Sequence, residues 1–183
     1  MSIWTRYRAA LVCVGFQAVW LASALSAARG VSWPGGCVAI AFLLAVLALD
    51  GWPRGLMVAA AASAALGLVV EGALSASGLV RYGGAWPASW PAPLWIVLLW
   101  AAFATTLAPL RAMLGSRWMP AAAVLGLAAG PLAYLAGERL GALTIGQPPM
   151  VAYSVVAAVW CLALPLLISV SRLDESPSIE DRE

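Results

Sequence analysis

The residue best placed to do chemistry in this chain is a carboxylate inside a long apolar segment. Glu71 follows Arg54 by about 17 positions, so a helix rising 1.5 Å per residue would carry it roughly 25 Å from that arginine. An ionisable group at that depth in a membrane usually pairs with another polar group or lines a wet cavity, and it commonly marks function. Glu71 is therefore the first candidate for a functional site.

Other ionisable side chains are predicted near the same end of the helices. Tyr134 and Glu138 are spaced to share one helix face, and Arg139 follows directly. The predicted polar cluster consists of Glu71, Arg81, Tyr82, Tyr134, Glu138 and Arg139. Three interpretations stay open: an ion pair of Glu71 with Arg139 or Arg81 that locks helices together, a functional pocket open to the periplasm, and exposure in the headgroup layer.

The residue types that the chain lacks exclude several kinds of chemistry. Histidine is absent, which excludes haem or metal sites that need histidine and a histidine general base. Cys13, Cys37 and Cys161 stand alone in apolar stretches, as expected of small buried hydrophobes or, less simply, a disulfide between helices. No Gly-rich phosphate loop, nucleophile–base pair or basic nucleic-acid footprint is recognisable. The sequence predicts no metal, no cofactor and no nucleic-acid partner, and it favours a role other than catalysis.

The helices that must position these side chains can be predicted from the composition of the chain. The chain is 63% hydrophobic and 10% charged, whereas about a quarter of the residues in a soluble domain are charged. In lipid, every backbone polar group must be paired internally, so long apolar runs indicate helices. The predicted fold is an all-α membrane protein, a compact bundle of six transmembrane helices within a single domain over residues 1–171. The six runs are 9–28, 35–49, 55–75, 93–110, 121–137 and 151–171.

Small residues at helical spacing predict where these helices touch. Ser63 and Gly67 share a face with Glu71, which turns that carboxylate into the bundle rather than towards lipid. Two G-x-x-x-G patterns follow in the fifth run, and a neighbouring backbone can approach closely along such a face. The predicted packing glycines of that run are Gly126, Gly130, Gly137 and Gly141.

Arginine placement predicts the orientation. With the N-terminus inside, most arginines become cytoplasmic, and only Arg29, Arg81 and Arg139 fall on the far side. Both ends are therefore predicted to be cytoplasmic. The longest outer loop, 76–92, is rich in tryptophan and proline and is expected to lie along the membrane surface. The acidic residues 172–183 are expected to form a disordered cytoplasmic tail.

Three strings of the sequence together resemble a known family. They are L-V-V-E-G within 66–72, P-L-W with L-W-x-x-F-A-x-T-L within 93–107, and G-P-L-A-Y with G-E-R-L-G-A within 130–142. They are similar to a family of small proteobacterial inner-membrane proteins that carries only a domain-of-unknown-function label. Members often accompany lipid-modifying enzymes, so the resemblance implies a lipid-related role in the inner membrane.

Three functions are consistent with these observations. The first is an accessory or scaffold protein linked to membrane lipid metabolism, with membrane lipid and another inner-membrane protein as partners. The second is a small permease or lipid-handling carrier that uses the buried Glu71. The third is a membrane enzyme with a Glu/Arg site at the periplasmic end.

Overall fold

The computed structural model describes residues 3–87 and 92–171, and it confirms the all-α class. The predicted tail, 172–183, lies outside the described residues. Two short strands accompany the helices: β1 (Val80–Tyr82) and β2 (Leu143–Ile145). The helices are α1 (Ile3–Ala28), α2 (Trp33–Leu49), α3 (Arg54–Ala76), α4 (Leu94–Phe103), α5 (Leu107–Leu114), α6 (Trp118–Arg139) and α7 (Pro149–Val170).

Several of these helices are suited to a membrane by their length and apolar composition. Within the described residues, four helical stretches are long and apolar enough to cross one: Tyr7–Ala28, Arg54–Ala76, Leu94–Arg139 and Pro149–Val170. Helix α2 is also apolar but has only 17 residues. The third of these stretches, with 46 residues, contains the fifth predicted run and all but the first residue of the fourth.

The 46-residue stretch folds back on itself. Trp100 of α4 stacks on Trp160 of α7 with ring centroids 4.7 Å apart, and Gly130 of α6 lies against the same indole. A continuous helix would separate Trp100 from Gly130 by roughly 45 Å, so the chain must reverse between them. Gly115 has φ +68° at the end of α5, a conformation that suits glycine and interrupts the helix there.

Small residues bring the helices together much as their spacing predicts. A Cβ added to Gly67 of α3 would lie 2.4 Å from Cγ of Trp100, and one added to Gly126 of α6 would lie 2.1 Å from the backbone oxygen of Trp160. Ser63 is fully buried on the same α3 face. The predicted role of Gly141 is wrong, because α6 ends before it. With φ +82°, Gly141 closes that helix in a Schellman motif.

The connections after α3 and α6 pair as a small antiparallel sheet, which the sequence analysis did not predict. Val80 pairs with Ile145 and Tyr82 with Leu143, and all four are buried, while Arg81 between them is exposed. This alternation is the ordinary pattern of a strand with one face on a core. The sheet covers one end of the helices, which we call the sheet end, and turns Tyr82 inwards.

Candidate functional site

Glu71 lies at the centre of a buried hydrogen-bond network at the sheet end. Its side chain is 1% exposed. Trp100 Nε1 donates to Oε1 at 2.7 Å, and the Tyr134 hydroxyl lies 2.7 Å from Oε1 and 2.8 Å from Oε2. The Tyr82 hydroxyl donates to Oε2. Three donors thus surround one carboxylate.

Each partner of Glu71 comes from a different element. Glu71 lies on α3, Tyr82 on β1, Trp100 on α4 and Tyr134 on α6. The close approach of Trp100 follows from Gly67, one helical turn before Glu71, because a larger residue there would occupy the space of the indole. The carboxylate therefore ties two helices and the sheet to α3.

Tyr82 is a protonated donor in this network. Burial, followed by the neighbouring Glu71 carboxylate, raises the pKa of Tyr82 well above its ordinary value. An ordinary tyrosine, with a pKa of about 10, is already protonated at neutral pH, and the shift moves Tyr82 further in the same direction, so its hydroxyl can donate to Glu71.

The predicted ion pair between Glu71 and an arginine is wrong for the described part of the chain. Arg81 and Arg139 are both exposed, and the partners of Glu71 are two phenols and an indole. A second buried charge would have to lose its hydration, whereas neutral donors can satisfy the carboxylate without that cost. Arginines near helix ends can instead extend their heads towards water.

The predicted polar cluster therefore divides into separate groups. Glu71, Tyr82 and Tyr134 are brought together. Glu138 is not part of that set: its Oε2 accepts a hydrogen bond from the Tyr153 hydroxyl at 2.8 Å, and its Oε1 accepts one from the backbone N–H of Ile145 at 3.1 Å. This second carboxylate fastens β2 to α6 and α7.

Two residues of the site, Trp100 and Trp160, were not among those predicted from the sequence. A signal for the first was available, because a tryptophan inside an apolar run usually needs an acceptor for its indole N–H, and Glu71 is an acceptor inside another apolar run. Trp160 offers no such signal, since its contacts with Trp100, Phe103 and Gly130 depend on how α7 is placed.

A cavity of about 520 Å³ adjoins this network, and Glu71 forms part of its wall. The lining is mainly apolar and comes from α1, α4, α5, α6 and α7, with Ala142 and Leu143 at the sheet end. Gln17 of α1 and Ala129 of α6 line it and are also exposed, so its mouth opens sideways between α1 and α6. The aromatic residues of the wall are Phe16, Trp20, Trp95, Trp100, Phe103, Tyr134 and Trp160.

A second cavity of similar volume lies towards the other end of the helices. Arg8 and Asp50, which form an ion pair, line it together with the exposed Arg54. Since Arg8 is mostly exposed and its charge is already paired with Asp50, this region has less capacity to select a ligand than the aromatic cavity.

Fold and site together define a helical protein with helices suited to crossing a membrane and a buried carboxylate beside an aromatic cavity. The family described as "Protein of unknown function (DUF2878)" matches residues 9–166. The chain belongs to this family, as the resemblance had indicated. No curated protein and no solved structure gives a significant match to the chain.

Proposed function

We propose that this protein is a lipid-handling protein of the bacterial inner membrane, which binds an apolar chain of a membrane lipid in the cavity between α1 and α6. The observation that carries the proposal is the aromatic cavity with its mouth on the side of the helices. Its volume of about 520 Å³ lies within the range of known ligand sites.

The position of the mouth favours a lipid over a water-soluble ligand. Ala129 and Leu132 of α6 line the cavity and are exposed on the side of that helix. If the helices cross a membrane, this side meets hydrocarbon, and a lipid chain could enter without passing through water. Aromatic and aliphatic walls would gain contact area from such a chain.

The proposed membrane arrangement has six crossings with both chain ends in the cytoplasm. Arginine placement supports this orientation. The reversal near Gly115 supports treating α4 with α5 as one crossing and α6 as the next. Helix α2, at about 26 Å, is slightly shorter than the roughly 30 Å hydrocarbon core, which local thinning of the bilayer would accommodate.

Reporter fusions test this topology. A fluorescent protein fused after residue 183 or within 111–117 should fluoresce in the cytoplasm, and alkaline phosphatase inserted within 76–92 should be active in the periplasm. The reciprocal fusions serve as controls. Phosphatase activity at the C-terminus would overturn the orientation, because it would place most arginines outside.

Native mass spectrometry of the protein purified in a mild detergent tests lipid binding. We expect a retained lipid on the wild type and its loss from Ala129→Phe, whose ring would fill the cavity mouth. Ala128→Phe is the matched control, because Ala128 is exposed on the same helix and does not line the cavity. A protein that carries no lipid but co-purifies with a membrane polypeptide would instead favour the accessory role.

A further inference from the structure

The carboxylate in the cavity wall has no counter-ion in the part of the chain that the structure describes. The hydrogen-bond partners of Glu71 there are neutral, and the arginines nearest in sequence to the network, Arg81 and Arg139, are exposed. Neutral donors offset only part of the desolvation cost of an ionised buried carboxylate, and either a proton or a bound cation can remove the remainder.

We propose that the cavity recognises a lipophilic organic cation, such as an ammonium group attached to an apolar chain. The proposal rests on the lipid-handling function above and specifies the charge of the ligand. The positive group would lie against the aromatic wall beside Glu71, while the apolar part fills the space between α1 and α6.

The hydrogen bonds at Glu71 are compatible with an ionised carboxylate, which is the form that a cation requires. Trp100 Nε1 can only donate, and a carboxylate that accepts from one indole and two phenols has its lone pairs directed at donors. A protonated carboxyl would place its own hydrogen against one of these donors unless a phenol rotated. The network can therefore satisfy an ionised carboxylate without any change of the phenols.

The aromatic wall favours the same charge. Seven aromatic residues line the cavity, and two of them, Trp100 and Trp160, stack on each other with ring centroids 4.7 Å apart. The face of an aromatic ring attracts a cation, most strongly where water is excluded, and it repels an anion. A ring of the wall that turns its face to the ligand would thus act in the same direction as the carboxylate.

A pair of ions with the same shape and opposite charge tests this inference. Tetraphenylphosphonium and tetraphenylborate are measured separately by equilibrium dialysis against the purified protein in a neutral maltoside detergent and sodium buffer. We expect the wild type to bind the cation at least about 10-fold more tightly. Equal affinity, or a preference for the anion, would overturn the inference.

Variants locate the site of binding. Glu71→Gln should weaken cation binding by about 30-fold or more, because it removes one charge of a buried pair. Glu138→Gln, which changes a carboxylate that does not line the cavity, should leave cation binding unchanged. Unchanged binding in a folded Glu71→Gln protein would overturn the inference. If that variant does not fold, Ala129→Phe decides the location, because retained cation binding would contradict the cavity.

The two proposals fail in different ways. If the wild type retains a lipid in mass spectrometry but binds neither ion, or both equally, the cation inference is wrong and the lipid-handling function stands. If the wild type retains no lipid and binds neither ion, both are wrong.

Discussion

Replacing Glu71 with leucine should lower the free energy of unfolding by about 3 kcal/mol or more. The substitution leaves Tyr82, Trp100 and Tyr134 without their acceptor, and each buried donor left unsatisfied costs about 1–3 kcal/mol. For a chain of this size the apparent Tm should fall by roughly 6–12 °C. Thermal melting of the detergent-purified protein, followed by fluorescence-detected gel filtration, measures the change.

Two matched variants show whether the loss of stability comes from the hydrogen-bond network of Glu71 or from the loss of any carboxylate. Glu71→Gln keeps one acceptor oxygen and should lose less stability than Glu71→Leu. Glu138→Leu removes the acceptor of Tyr153 and of one backbone N–H, both only partly buried, and should also lose less. A Glu71→Leu protein with the melting temperature of the wild type would show that the three donors do not depend on this carboxylate.

The predictable parts of the fold were those set by local sequence. The third apolar run, predicted over 55–75, agrees closely with α3 (Arg54–Ala76), because a long apolar run with a single charged residue has few alternatives to a helix in lipid. The inward direction of Glu71 is also confirmed, since spacing alone places it on the face of Ser63 and Gly67.

The partners of Glu71 could not be predicted in the same way. Tyr82 reaches it because β1 pairs with β2, and the two strands belong to loops separated by two further crossings in the proposed topology. Each strand has only three residues, which is too short for a pattern to reveal. The negative charge of Glu71 suggested an arginine as its partner. In a buried site, however, neutral donors satisfy a carboxylate with less desolvation than a second charge requires. Sequence therefore predicts the depth and direction of Glu71 and leaves its contacts undetermined.

Replacing Gly126 with alanine should destabilise the contact between α6 and α7 by about 2–3 kcal/mol. The added Cβ would lie 2.1 Å from the backbone oxygen of Trp160, and a backbone atom cannot rotate away as a side chain can. The two helices would have to separate by about 1 Å or more, which loosens the contacts along both. The apparent Tm of the purified protein, measured as for Glu71→Leu, should fall by roughly 4–12 °C.

Two other substitutions on α6 show whether this loss comes from backbone contact. Gly137→Ala adds the same methyl group, but its Cβ would lie 3.2 Å from the Cδ2 atom of Leu143, a side-chain end that can move, so the loss should be much smaller. Ala128→Leu adds a larger group at an exposed position and should change the melting temperature little. Equal losses for Gly126→Ala and Gly137→Ala would mean that glycine is needed along α6 for some reason other than close approach. A Gly126→Ala protein as stable as the wild type would contradict the α6–α7 contact itself, and with it the position of Trp160 in the cavity wall.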